Sequence, residues 1–168
     1  MPEGDELSAA AAAGDVDALS GFAESWASLS DTSPAPDSGL NTPLIWAADA
    51  GHLSVVEWLL SSHPASYSTI DARGYLGATA VSRAARKGHP KVLSALLSAG
   101  ANPDIGNDKR QFPLHFAAFK LHPECVDVLL EHGASTYTLD RKGRTPAEDT
   151  SDAGIRAAIL AARERAKN

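Results

Sequence analysis

The chain has 168 residues, 43% of them hydrophobic and 21% charged, which suits one domain with a continuous core. No run reaches the roughly 18 apolar residues of a membrane span, and the acidic opening Met1-Pro2-Glu3-Gly4-Asp5-Glu6 with its short alanine tract does not read as a secretory signal. A soluble protein of the cytoplasm is expected, with the nucleus as the alternative, and the single Cys125 forms no internal disulfide. The net charge of −6 hides a division: residues 1–72 carry eleven Asp or Glu and no Lys or Arg, whereas residues 73–168 carry fifteen Lys or Arg and ten Asp or Glu. The molecule is electrically two-ended, which by itself names no partner.

In chain order, the segment 27–38, with Ser33-Pro34-Ala35-Pro36, reads as a lengthened, proline-stiffened loop, and Ser33-Pro34 also suits proline-directed phosphorylation. Thr42-Pro43 then starts a helix, because Thr caps an orphan amide and Pro is tolerated at the first helical residue. The helix carries Ala47-Ala48 and ends at Gly51-His52, where a left-handed residue is wanted. A second helix carries Val55, Val56, Leu59 and Leu60 as one apolar stripe.

The same pattern returns. Ala84-Ala85-Arg86-Lys87-Gly88-His89 precedes Val92, Leu93, Leu96 and Leu97, and Ala117-Ala118-Phe119-Lys120-Leu121-His122 precedes Cys125, Val126, Leu129 and Leu130. Gly100-Ala101 and Gly133-Ala134 stop the second helices, and polar segments lead to the next start. The equivalent positions Thr42, Thr79, Phe112 and Thr145 lie 37, 33 and 33 residues apart, and extrapolation from Gly14 sets an earlier unit near Asp5. Self-similarity at this period means a stacked array whose function lies on its surface.

These motifs resemble the ankyrin-repeat family, whose pattern Asp-x-x-Gly-x-Thr-Pro-Leu-His, Ala-Ala-x-x-Gly-His and Leu-Leu-x-x-Gly-Ala is met at most positions of three interior units. The resemblance implies an all-α solenoid of about five helix-pair repeats with β-hairpin-like connecting loops. The expected single domain, 1–168, divides at about 5–36, 37–73, 74–106, 107–139 and 140–166, the end units being degenerate caps. Departures occur at Ala80 for Pro, Phe112 for Thr, and Leu121 for Gly, the last costing roughly 1 kcal/mol or forcing another turn geometry. The segment 63–76 is also lengthened, with His63-Pro64 where Gly-Ala is usual.

No catalytic constellation is visible, so no enzyme, cofactor or metal is expected. His52, His89 and His122 recur once per unit, too far apart to share one ion. His115 is expected to hydrogen-bond backbone, Cys125 to fill the core, and Glu148, Asp149 and Asp152 to serve the start of the last unit's first helix.

The resemblance implies a non-catalytic protein-binding module of adaptor, inhibitor or assembly-chaperone type. It also implies that the residues between Ala-Ala and Gly-His, and those before Thr-Pro, face the concave side. Carried onto this chain, they form a groove that turns basic and aromatic in the third and fourth units. Trp46, Tyr75, Arg83, Arg86, Lys87, Lys109, Arg110, Phe119 and Lys120 are the expected partner-binding residues, suited to an acidic segment. The alternative is a polyanion, RNA or an anionic membrane surface, on the basic half; the overall negative charge and the lack of a dense cationic run oppose it. A monomer is expected.

Overall fold

The computed structural model describes residues 4–27, 41–62 and 70–166. Among them are ten α-helices and no strands: α1 (Gly4–Ala13), α2 (Val16–Ala27), α3 (Pro43–Ala50), α4 (Leu53–Ser62), α5 (Ala80–Lys87), α6 (Pro90–Ser98), α7 (Pro113–Phe119), α8 (Pro123–Glu131), α9 (Pro146–Asp149) and α10 (Ala153–Arg165). They form five antiparallel pairs. The first helix of each pair packs on the first helix of the next, and second helices pack likewise on second helices, giving an inner row and an outer row. Most of the segments 27–38 and 63–76 that the sequence marks as lengthened, Ser33 included, lies outside the described residues.

Local chemistry sets the helix boundaries. Thr42 caps α3 by accepting a hydrogen bond from the Ile45 amide at 3.3 Å, and Thr79 and Ser82 form a reciprocal capping box at α5. Phe112 has no such oxygen and caps α7 without a side-chain bond. The three Ala pairs are fully buried where inner helices approach one another, and Val55, Val56, Leu59, Val92, Leu93, Leu96, Cys125, Val126 and Leu129 form the buried stripe of the outer row. Burial, then the neighbouring Glu124 carboxylate, pushes the Cys125 thiol up to about 11, so it is a small apolar core residue rather than a reactive thiol.

The Gly-His pair joins one helix pair to the next. His52, His89 and His122 each donate Nε2–H to a carbonyl at the end of the preceding inner helix: Ala12 at 3.0 Å, Asp49 at 3.1 Å and Arg86 at 3.3 Å. Each ring also lies over the preceding turn glycine. A Cβ on Gly14, Gly51 or Gly88 would stand 2.6–2.8 Å from the ring, and all three have left-handed φ. These glycines are therefore required twice, by the turn and by the histidine of the next pair. Leu121 keeps the left-handed turn at φ 59 rather than adopting another geometry. No histidine ring seats on it: in the next pair Asp152, not His, opens the second helix, α10, and the Leu121 side chain is exposed.

The connecting loops end in tight turns closed by backbone bonds from Gly74 N–H to Ala78 O at 2.8 Å, Asn107 N–H to Gln111 O at 3.0 Å and Asp140 N–H to Arg144 O at 2.9 Å, with Gly77, Arg110 and Gly143 donating back to the Gly74, Asn107 and Asp140 carbonyls. At the last two, an Asn or Asp side chain also accepts amides within the turn. Gly74 has no side chain to do so, and Asn41 of the preceding loop compensates by accepting the Tyr75 amide at 3.1 Å.

The acidic residues of the last pair divide their roles. Glu148 accepts from the Thr145 amide and hydroxyl, both at 2.8 Å, and these bonds hold its carboxyl below the usual range. Asp149 pairs with Arg144. Asp152 caps the second helix of the pair, α10, not the first. Burial alone would raise the Asp140 carboxyl, but hydrogen bonds from the Arg144 amide and guanidinium and the Lys142 amide, with the Arg144 charge, hold it low. His115 donates Nε2–H to the Arg144 carbonyl at 2.9 Å, so the backbone it binds belongs to the loop of the next unit.

Candidate protein-binding cleft

A concave cleft of about 290 Å³ lies between the 74–78 turn, α5 and the start of the fourth helix pair. Tyr75 and Leu76 form its upper lip. Leu76 has a left-handed backbone, φ 58 and ψ 27, which costs an L-residue roughly 1 kcal/mol. Its carbonyl accepts the Asp108 amide of the next turn at 3.1 Å, fixing the conformation. Arg73 braces the same junction by donating to Gly106 O at 2.8 Å and Asp108 Oδ1 at 3.0 Å. The strained Leu76 side chain is exposed and Tyr75 is 57% exposed, so burial within this chain does not repay the strain.

The floor and walls come from Ala78, Ser82, Arg83, Arg86, Asn107 and Phe116. Beside the cleft, three cations converge on one carboxylate. Asp49, at the end of α3, accepts from Arg83 Nη1 at 3.3 Å, while Arg86 Nη2 lies 3.7 Å from the same oxygen and Lys87 Nζ 3.3 Å from the other. Asp49 and Arg83 are each only 15% exposed, whereas Arg86 and Lys87 are 39% and 45% exposed. With one anion and three cations, the cluster carries a net charge of about +2, and its two accessible members face solvent.

The structure thus brings Tyr75, Arg83 and Arg86 into one cleft, with Lys87 beside it. Trp46, although aligned with Arg83 and Phe116, lines a separate depression of about 240 Å³ with Asp5, Ser8, Ala9 and Ala12, between the first two pairs. Phe119 and Lys120 are exposed at the end of α7, the ammonium 5.6 Å from the ring centroid. Lys109 and Arg110 are exposed on the next turn. Ser82 and Asn107 had no sequence signal as lining residues, because capping and turn formation account for both. A larger depression of about 570 Å³ lies between the outer helices α8 and α10; Ala158, Ala162 and mixed charges line it, with no aromatic side chain.

Stacked helix pairs with projecting turns and a concave inner face define a solenoid scaffold. Models of ankyrin repeats match residues 44–97 and 81–159, together well over half of the sequence. The chain belongs to the ankyrin-repeat family, and such repeats are protein–protein interaction modules.

Over 93 residues the chain is 36% identical to the E3 ubiquitin-protein ligase XBAT33 of Arabidopsis thaliana, covering 55% of this chain and 17% of that protein. It is 40% identical over 58 residues to the potassium channel AKT2/3 of the same plant, covering 34% of this chain and 7% of the channel. It is also 40% identical over 67 residues to protein arginine N-methyltransferase 2 of Cryptococcus neoformans, covering 39% and 18%. The chain spans less than a fifth of the length of each, so the ligase, channel and methyltransferase names describe proteins of which only a small part is shared. Among the described residues, no helix is long and apolar enough to cross a membrane.

Proposed function

We propose that this chain is a non-catalytic binding module whose cleft receives an extended acidic segment of a partner protein, with an apolar or aromatic side chain beside the carboxylate. The proposal treats 1–168 as one domain, with units at the boundaries given above, acting as an adaptor, inhibitor or assembly chaperone. The observation that carries it is the three-to-one gathering of cations around Asp49, next to the exposed Tyr75 and the strained Leu76. Arg86 supplies a planar, multidentate donor for a carboxylate, Lys87 adds charge, and Tyr75, Leu76 and Phe116 offer rigid apolar area.

Selection from a random peptide display library tests the reading. Wild-type protein is expected to enrich Asp- or Glu-containing peptides with a neighbouring aromatic or aliphatic residue. Arg86→Glu with Lys87→Glu, shown folded by circular dichroism, is expected to bind them at least tenfold more weakly, as removal of charge-assisted contacts implies. Enrichment of peptides without acidic residues, or unchanged affinity in the double variant, overturns it. Retention of RNA at physiological salt with no peptide enrichment moves the assignment to the polyanion alternative.

A further inference from the structure

We infer that Asp49 is a built-in competitor for the partner's carboxylate: it occupies the cations that the acidic segment needs and so sets how strongly the cleft binds. The inference rests on the acidic-segment reading above and specifies the residue that tunes it.

The geometry has a fixed part and a movable part. The Asp49 carbonyl is held by His89 Nε2 at 3.1 Å, and its carboxylate makes its closest guanidinium contact with Arg83, which is equally sheltered. This pair is anchored. Arg86 stands at the longest of the three distances, 3.7 Å, is well exposed, and lines the cleft. It alone both contacts Asp49 and forms a wall of the cleft while exposed enough to change partners. An incoming carboxylate that takes Arg86 gains a charge-assisted pair, but it is repelled by Asp49 nearby. An isolated carboxylate is therefore held weakly. A segment that also places an apolar side chain against Tyr75 and Leu76 gains enough contact area to overcome the repulsion.

The test uses the full chain and two synthetic peptides, acetylated and amidated: Gly-Ser-Leu-Glu-Phe-Ser-Gly and its Gln counterpart. Binding is followed by ¹⁵N chemical shifts of the backbone and the Arg side-chain Nε–H groups. For Asp49→Asn, the Glu peptide is expected to bind roughly threefold to thirtyfold more tightly than to wild type, the range for removing one like charge at a partly screened site. The Gln peptide should change by less than twofold. If wild type binds the Glu peptide at the cleft but Asp49→Asn binds it equally or more weakly, the competitor role is overturned and the acidic-segment reading stands. If the Glu peptide produces no shifts at the cleft in either protein, that reading fails and the inference with it. A second readout needs no substitution: in wild type, peptide saturation should move the Asp49 carboxyl ¹³C and Arg86 Nε resonances together. Movement of Arg86 without Asp49 contradicts the exchange of partners.

Discussion

At the first three junctions a histidine ring from one helix pair covers the glycine turn of the pair before it and binds a carbonyl two residues upstream of that glycine. At the last junction Leu121 stands in place of the glycine and Asp152 in place of the histidine, while the loop network of Asp140, Arg144, Asp149 and His115 ties the two pairs together. The difference shows that the glycine and the histidine are one device divided between two units. With no ring seated on it, the Leu121 side chain is exposed, and the cost of its left-handed backbone remains. The first and last pairs both start their second helix with Asp: Asp15 accepts the Ala18 amide at 2.8 Å and Asp152 the Ile155 amide at 2.8 Å. The side-chain cap is used where the helix start carries no ring to seat.

The largest expected effect that would sharpen this contrast comes from Gly51→Ala. It adds left-handed strain and a contact of 2.6 Å with the His89 ring, destabilising the chain by about 2–4 kcal/mol in urea titration. The double variant Gly51→Ala with His89→Ala should be less unstable than the sum of the two single changes. Strict additivity would mean that ring and glycine are independent, and the contrast would fail.

Leu121→Gly should have the opposite sign. It relieves a strained backbone with no ring to displace, and is expected to stabilise by about 1 kcal/mol in the same titration.

Acid should weaken the last junction selectively. The folded-state values of Asp140 and Glu148 are lowered from ordinary values of 3.8 and 4.5. Their contribution is therefore complete above those ordinary values and is lost as pH falls through the depressed ones. Amide exchange from pH 6 to pH 3 should show α9 and α10 losing protection before α3 and α5, and Asp140→Asn should reduce the difference. Equal loss in both regions would remove the distinction.

The smallest effect is a rate. With its thiol pushed to about 11, Cys125 is roughly one part in a thousand thiolate at pH 8 and buried on α8, which packs against α10. Labelling by a disulfide reagent should be slow in wild type and moderately faster in Asp140→Asn, reporting opening of the last pair. Rapid labelling of the wild type would show that this junction is already loose.

Much of the scaffold was legible in the sequence, because its determinants act over a few residues. The Thr42 cap, the left-handed glycines, the Ala pairs and the Val/Leu stripes all follow from local spacing. The candidate cleft was less legible, because it is made between units. Asp49 and its cations are 34 to 38 positions apart in the chain, and only the register of the stack brings them together. Trp46 and Arg83 share a repeat position yet lie in different depressions, since an aligned position specifies a height in the repeat and not which neighbours stand above and below. Leu76 gave no warning of positive φ, because a leucine at a turn carries no glycine-like signal.

The Gly-His seating also decides where a repeat can be cut. A cassette excised between the glycine and the histidine of one motif carries away a ring shaped to its old neighbour and leaves a notch for whatever follows. A transplanted unit therefore needs glycine upstream to receive its histidine, and it needs either another histidine downstream or a residue such as Leu121 that asks for none. Modularity in this chain is a matter of matched edges, and a graft that ignores them should assemble less well than its individual helices would suggest.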